Sequence, residues 1–349
     1  MKRAEWIDSC RFFAIFVIMV THFIDKVSPA LLQLWELPPT SWILYGLTGK
    51  FSVAFFFVLL GYFASKPAFF SFKSIITYST RRYFQFAFYI FIVSALYIFG
   101  SYCVTWLFHS ADDCVMRVIS DGFKYNLLYL LRDSFLFEAN YNATLWCMQQ
   151  LFLASLICRG LAYIPEKFSI ALRFFISLAL ILAMMAINAN YCVWICAAIL
   201  GYKLRLLLEL SHNFSKLRST PLLIICLLTA LVLIKLKMPE SVMQYSLQSL
   251  AAFMLIYVQF NLPPIQKWLS KKPFPWLGSI SIGLFVIHTP LNALIYSSIY
   301  STLLKFIPKP VTAFICFIIS FAACIALSWI LKAAYENAVK KLRKEKLSV

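Results

Sequence analysis

The first apolar segment of the chain carries ionisable residues at spacings that place them on one face of a helix. Arg11 and His22 are eleven residues apart, which rotates a helix roughly 20° past three full turns and separates the two side chains by about 16 Å along the axis. Asp25 lies one turn beyond His22, and Asp8 is placed to pair with Arg11. This face offers a guanidinium near one end and a His–Asp pair near the other.

These residue types predict a definite chemistry. A neutral imidazole oriented by a carboxylate is a general base that can activate a hydroxyl, and a guanidinium binds phosphate through two hydrogen bonds. The face therefore favours an enzyme that holds an anionic donor through Arg11 and uses His22, with Asp25, on a hydroxyl acceptor. The alternative stays open that Arg11 extends to the membrane interface and that His22 bonds between helices without chemistry.

Further polar residues lie in or beside apolar segments, where ionisable groups are costly. Lys50 lies deeper than a lysine normally extends and would neutralise either a substrate or a carboxylate such as Asp25. His288 directly precedes Thr289-Pro290. Because a proline frees a backbone carbonyl in a membrane helix, His288 is expected to have a structural partner there.

Arg81 and Arg82 are placed immediately before the third apolar segment. They either anchor the inner membrane surface or bind phosphate. Trp146 begins the fourth segment and is either an interfacial aromatic residue or a candidate for substrate contact.

The elements that must carry these residues are membrane helices. Hydrophobic residues make up 62% of the 349-residue chain and charged residues only 13%, whereas soluble chains are nearer half apolar and a quarter charged. We therefore predict an all-α polytopic membrane helix bundle of about ten transmembrane helices. The predicted spans are residues 8–27, 42–64, 83–108, 143–163, 169–188, 190–208, 221–236, 244–262, 277–300 and 311–334. A further short helix, over 125–137, is predicted on or re-entering the membrane.

The formal charge of +18 is explained by topology. With the N-terminus inside, 23 of the 32 lysines and arginines fall on the inner side and eight on the outer side, as the positive-inside rule requires. Both termini are thus predicted to be cytoplasmic, and nucleic acid is not needed as a partner. We expect one transmembrane domain over 1–339 and a basic tail over 340–349. No metal site is expected: most cysteines lie within predicted spans, and the two thiols at helical spacing, Cys192 and Cys196, are too few ligands for zinc.

Four blocks of the sequence, taken in order, resemble the acyltransferase 3 family, whose members O-acylate bacterial surface glycans. The match extends over nearly the whole chain, and its specificity lies in the ordered set of motifs. The blocks are Trp6-Ile7-Asp8-x-x-Arg11 with His22; Ser52 to Phe63, which ends Leu60-Gly61-Tyr62-Phe63; Arg81-Arg82; and Leu277-Gly278-Ser279-Ile280-Ser281 with Phe285-Val286-Ile287-His288-Thr289-Pro290.

Two positions depart from the family pattern. The second-span block usually has a serine before its glycine, where this chain has Leu60. The fourth span often opens Trp-Ser-Leu with a glutamate soon after, whereas here Trp146 is followed by Cys147 and Met148 and then by Gln149 and Gln150. The acceptor-side chemistry is therefore expected to differ from that of better-known members.

The resemblance implies transfer of an acyl group, usually acetyl from acetyl-CoA, to a sugar hydroxyl of a surface glycan or its lipid-linked precursor. It implies His22 as the base and Arg11 with Arg81 or Arg82 at the donor. Lys50, Trp146, Gln149, Gln150 and His288 are the candidates for substrate contact. A multi-pass protein of the bacterial cytoplasmic membrane is expected, with acyl-CoA as a substrate and no permanently bound cofactor. The alternative is a transporter or flippase for a lipid-linked glycan or acyl group, without covalent chemistry.

Overall fold

The protein is described by a computed structural model that covers residues 5–27, 49–64, 72–109, 113–164, 168–213, 219–236 and 241–345. These residues form helices and no β-strand, in agreement with the all-α prediction. In chain order the elements are α1 (Glu5–Val27), α2 (Gly49–Ala64), α3 (Phe72–Phe108), α4 (Asp113–Leu136), a 3₁₀ turn (Ala143–Cys147), α5 (Met148–Ala162), α6 (Ile170–Asn213), α7 (Thr220–Lys235), α8 (Val242–Phe260), α9 (Pro263–Leu269), α10 (Phe274–Ser279), α11 (Ser281–Ile295), a π-helical turn (Tyr296–Tyr300), α12 (Ser301–Leu303) and α13 (Lys309–Glu345).

The described residues divide into two compact units. The first draws them from Met1–Ile18, Thr40–Arg82 and Gln150–Pro275. The second draws them from Met19–Pro39, Tyr83–Gln149 and Trp276–Val349. The predicted single domain over 1–339 stays a prediction.

Six of the described helices are long and apolar enough to cross a membrane, which confirms the membrane-helix character of the chain. They are Glu5–Phe23, Lys73–Phe108, Thr144–Ala162, Ile170–Leu208, Ser281–Leu303 and Lys309–Lys341. Two shorter apolar helices, Gly49–Ala64 and Thr220–Lys235, overlap the predicted second and seventh spans. The number of about ten spans and the cytoplasmic placement of both termini stay predictions.

The predicted fifth and sixth spans are two arms of one element, α6, in the first unit. Asn188 has φ −157° and ψ 93°, so the helix is broken there. The Oδ1 of Asn188 accepts a hydrogen bond of 3.1 Å from the backbone N–H of Tyr191, which caps the start of the second arm. The Asn188-Ala189-Asn190 sequence thus marks a kink between two arms.

Contacts between the two arms define their register. The Sγ of Cys196 lies 3.9 Å from the carbonyl oxygen of Ile181. The Nζ of Lys203 lies 4.0 Å from the centroid of the Phe174 ring. Residues later in the second arm thus contact residues earlier in the first, which is the register of an antiparallel helical hairpin.

Helices α2 and α6 of the first unit approach so closely that two positions require glycine. A Cβ at Gly61 would lie 1.7 Å from the carbonyl oxygen of Ala198, and a Cβ at Gly201 would lie 2.0 Å from the carbonyl oxygen of Val58. Neither backbone oxygen can yield without a shift of its helix. The glycine of the second-span sequence block therefore has a packing role.

The predicted helix over 125–137 is part of the longer α4, in the second unit. α4 bends at Gly122, whose φ of 72° and ψ of 172° are open to glycine. Beyond the bend, large apolar side chains at a four-residue spacing are exposed, as on a helix that faces an apolar phase. They are Phe123, Leu127, Leu131 and Phe135.

Candidate functional site

The proline of α11 frees a backbone carbonyl that a distant asparagine satisfies. Pro290 has no N–H, so the carbonyl of Val286, four residues earlier, loses its partner within the helix. The Nδ2 of Asn142 donates to that carbonyl at 2.7 Å. The Oδ1 of Asn142 also accepts from the backbone N–H of Thr144 at 3.1 Å, which caps the 3₁₀ turn. Asn142, which the sequence did not single out, therefore ties this turn to α11.

His288 lies on α11 and is completely buried. Its Nδ1 is 2.8 Å from the carbonyl oxygen of Phe285 and 3.2 Å from that of Leu284. Because a carbonyl oxygen only accepts hydrogen bonds, Nδ1 is the donor and carries the proton. Its Nε2 is buried and has no hydrogen-bond partner among the described residues. His288 thus has structural partners in the turn before the proline, but they are not the freed carbonyl of Val286, which is paired with Asn142.

The second unit brings His22 and His288 together. The two ring centroids are 5.4 Å apart and the ring planes are tilted by 37°. His22 is partly exposed, whereas His288 is not. The side chain of Asp25 lies outside the described part of the structure, so its proposed role beside His22 stays a prediction.

Helix α13 makes polar contacts with α11, which carries His288, and with α10, which precedes it. The Oγ of Ser320 donates to the Oδ1 of Asn292 in a short hydrogen bond. The Nζ of Lys332 donates to the Oγ of Ser279 at 2.9 Å. The contacts of Ser320 and Asn142 thus hold α11 from two other elements, α13 and the 3₁₀ turn.

Arg11 lies in the first unit, in contact with a carboxylate and an aromatic ring. Its Nη1 is 3.2 Å from the Oδ1 of Asp8, the ion pair that the spacing predicts. Its guanidinium carbon is 4.2 Å from the centroid of the Phe63 ring, a cation–π contact. The guanidinium is thus oriented by residues of both α1 and α2.

A cavity of about 360 Å³ in the first unit is bounded by α1, α2, α8 and α9. Its walls are mostly apolar, and the Sγ of Cys10 donates to the Oε1 of Gln259 at 3.4 Å on its edge. The lining includes Phe13, Phe55 and Trp268. Sequence reasoning did not anticipate this cavity, because its walls come from three separate stretches of the chain.

Lys50 has an aromatic neighbour in the first unit. Its Nζ donates to the Oη of Tyr245 at 3.2 Å and lies 5.3 Å from the centroid of that ring. The structure does not describe the side chain of Asp25, with which Lys50 was predicted to pair as one alternative. Neither that pairing nor contact with a substrate is tested, and both stay predictions.

Arg81 and Arg82 lie within α3, because this helix begins at Phe72 rather than after them. Arg81 is exposed and Arg82 is partly exposed. They therefore project from a helix that continues into the predicted third span. Their binding of a donor stays a prediction.

The residues at the start of the predicted fourth span have different environments. Trp146 is 43% exposed on the 3₁₀ turn. The Nε2 of Gln149 donates to the carbonyl oxygen of Leu136 at 2.8 Å. Gln150 is buried, and its Oε1 has no hydrogen-bond partner among the described residues. Gln149 is thus committed to the backbone, whereas Gln150 retains an acceptor.

A polar network at the end of α4 was not anticipated. Asp133 is fully buried and accepts hydrogen bonds from the backbone N–H and the Nδ2 of Asn140 at 3.1 and 2.7 Å. Burial raises the pKa of Asp133, and the bonds from Asn140 oppose that shift. Nearby, a hydrogen bond from Arg132 lowers the pKa of Glu138. These contacts stabilise the conformation of the segment between α4 and the 3₁₀ turn.

Tyr141 joins the same segment to the first half of α4. Its Oη is 2.9 Å from the Oδ2 of Asp121 and makes a short contact with the Oδ1 of Asn126. Burial, and then the hydrogen bond to Asp121, raises the pKa of Tyr141. The network is local in sequence, and the two partners of Tyr141 lie on either side of the bend at Gly122.

The described residues contain no group of three or more His, Cys, Asp or Glu side chains placed to hold a metal ion. The described histidine pair and the basic residues are instead suited to acid–base chemistry and to anion binding.

Comparison with known proteins identifies the family. A family model described as an acyltransferase domain matches residues 4–330, essentially the whole chain. Curated proteins and solved structures gave no match. The matched region contains every block that carried the resemblance, along with His22, His288 and Arg11. The chain belongs to the acyltransferase 3 family of membrane acyltransferases.

Proposed function

We propose that this protein is a multi-pass O-acyltransferase of the bacterial cytoplasmic membrane. It moves an acyl group, acetyl in the simplest case, from cytosolic acyl-CoA to a hydroxyl of a cell-surface glycan or its lipid-linked precursor. The observation that carries the proposal, beyond family membership, is the partly exposed His22 beside the buried His288. An imidazole held beside a second polar group is a suitable base for a hydroxyl.

The reaction needs one proton acceptor and no redox partner. His22 takes the proton from the acceptor hydroxyl as its oxygen attacks the thioester carbonyl carbon. The carbon–sulfur bond then breaks, and the CoA thiolate leaves and takes the proton from His22. The products are an ester and free CoA thiol, and the imidazole returns to its neutral form.

The donor is assigned to the inner-side cations. Arg11, oriented by Asp8 and Phe63, and Arg81 with Arg82 would bind the phosphates of acyl-CoA, because guanidinium groups suit phosphate oxygens. The apolar cavity beside Cys10 would accept the uncharged arm of the donor.

The acceptor is assigned to the remaining candidates. Trp146, with its exposed ring, would stack on a sugar face, and the free acceptor of Gln150 would bond a sugar hydroxyl. Lys50 would neutralise an anionic group of the substrate. The role of Gln149 would be indirect, since its amide is bonded to the backbone.

The proposal is tested with purified protein in lipid, acetyl-CoA labelled in its acetyl group, and a candidate lipid-linked glycan. We expect covalent label on the glycan from the unaltered protein. We expect a loss of at least about 100-fold in His22→Ala, because a general base contributes about that factor or more, and a comparable loss of activity in Arg11→Ala at low donor concentration.

His109→Asn is the matched control, since His109 is exposed and has a positive φ that asparagine tolerates. It should retain full activity. Transfer at the normal rate by well-folded His22→Ala would contradict the mechanism. Movement of the glycan across the bilayer without covalent label would instead support the transporter alternative.

A further inference from the structure

His288 presents a buried acceptor that needs a donor. With the proton on Nδ1, directed at the carbonyls of Phe285 and Leu284, the neutral ring has a lone pair at Nε2. Nε2 has no hydrogen-bond partner among the described residues. Buried polar atoms are nearly always satisfied, because leaving one unpaired is costly. A donor is therefore expected to reach Nε2 in the working protein.

His22 is a described polar side chain whose ring lies beside that of His288. At a centroid separation of 5.4 Å, ring nitrogens that face each other come within about 3 Å, a hydrogen-bond distance. The terminal torsion of a histidine has a broad energy minimum. Rotation of the His22 ring about this torsion can therefore direct an N–H toward Nε2 of His288.

Burial decides which of the two imidazoles meets the substrate. His288 is completely buried and its Nδ1 is committed to the backbone. His22 is partly exposed. An acceptor hydroxyl from solvent can therefore approach His22 more readily than His288.

We infer that His288, in place of the Asp25 carboxylate, is the positioning residue for His22: its Nε2 accepts the single N–H of the neutral His22 ring and so fixes the tautomer of that imidazole. The other nitrogen of His22 then carries the lone pair that faces the acceptor hydroxyl. When His22 takes the proton, its bond to His288 becomes charge-assisted and stronger. This inference rests on the proposed function, in which His22 is the base.

The hydrogen bond can be tested without any turnover. The chain has four histidines, so ¹⁵N-histidine spectra of the protein in lipid can be assigned by single substitutions. We expect the His288 ring to show a protonated Nδ1 and a hydrogen-bonded, unprotonated Nε2. In His22→Phe the Nε2 resonance should shift to that of a nitrogen without a hydrogen bond, while His109→Asn leaves it in place. An unchanged Nε2 resonance in His22→Phe would overturn the inference.

Kinetics test the consequence with a matched pair of variants. His288→Gln keeps an acceptor near the Nε2 position, whereas His288→Asn keeps a donor near Nδ1 but has no acceptor there. We expect kcat of His288→Asn to fall about 100-fold with KM for acyl-CoA changed less than about twofold, and His288→Gln to recover at least about tenfold of that loss.

The two tests separate the inference from the proposed function. If both variants are folded and turn over like the active unaltered protein, the positioning role is overturned. If the unaltered protein transfers nothing, the proposed function fails, and the spectra alone decide whether His22 bonds to His288.

Discussion

At the scale of single residues, the site depends on a proline and on the asparagine that compensates for it. Pro290 leaves the carbonyl of Val286 without a helical partner, and Asn142 supplies one at 2.7 Å. The same asparagine caps the 3₁₀ turn. His288 lies two residues before the proline. The backbone hydrogen bond that this helix turn lacks is replaced by one from the side chain of Asn142.

Replacing Asn142 by serine should separate these two roles. Asn142→Ser keeps an oxygen that can cap the turn but loses the donor to Val286, which should lower the free energy of unfolding by about 1–2 kcal/mol. The loss should shrink in the Pro290→Ala background, because the new backbone N–H can bond Val286 again. The free energies of unfolding in detergent of the four proteins in this cycle provide the measurement. Equal losses in both backgrounds would show that Asn142 does not compensate for the proline.

The sequence anticipates local pairs at this scale and misses distant ones. The ion pair between Arg11 and Asp8 follows from a spacing of three residues on a helix. The contacts of His22 with His288 and of Asn142 with Val286 join residues far apart in the chain. Helical periodicity gives no information about such partners, because they depend on which helices pack together.

At the scale of the elements, the close contact of two helices explains why glycine is required at two positions. Gly61 and Gly201 lie where α2 and α6 touch through their backbones. The kink at Asn188 lets both arms of α6 form one hairpin. The first unit is therefore organised around a hairpin and a helix packed directly against it.

Alanine in place of Gly61 or Gly201 should destabilise the protein, whereas alanine in place of Gly160 should not. Gly61→Ala and Gly201→Ala place a methyl group inside contact distance of a backbone oxygen, which should cost about 1–3 kcal/mol or more. Gly160 is also helical but has open space around its Cβ position, so Gly160→Ala should be neutral or stabilising by up to about 1 kcal/mol. The melting temperature in detergent separates these outcomes. A melting temperature in Gly61→Ala as high as in Gly160→Ala would contradict the close approach.

The elements themselves were largely predictable from apolar segment length. The predicted spans over 143–163, 221–236 and 244–262 correspond to the turn with α5, to α7 and to α8. The helix that contains the predicted third span, 83–108, begins earlier, at Phe72, before Arg81 and Arg82. Hydropathy detects the part of a helix that is apolar, and polar helical turns beyond it leave no such signal.

At the scale of the whole molecule, charge predicts how the chain is oriented. The excess of lysine and arginine on one set of loops predicts that both termini face the cytoplasm. The basic tail over 340–349 would then lie on the side where anionic lipid headgroups attract it. This orientation also places Arg11, Arg81 and Arg82 on the side that supplies CoA.

A C-terminal reporter tests the orientation. Green fluorescent protein fused after Val349 should fluoresce, and alkaline phosphatase fused at the same position should be inactive, because it needs the oxidising outer compartment. A fusion directly after His109 should give the opposite result and is the internal control. Active phosphatase at the C-terminus would contradict the predicted orientation and with it the assignment of the donor side.

The sequence by itself determined the membrane-helix class, the family and the residues most suited to the chemistry, since these depend on composition, periodicity and ordered motifs. Tertiary structure alone decided that His22 has His288 as its neighbour, that Asn142 satisfies the carbonyl freed by Pro290, and that Gly61 is a contact point between helices. The physical reason is that apolar length and helical period are properties of one segment. A buried hydrogen bond or a close backbone contact is a property of two segments, which only packing brings together.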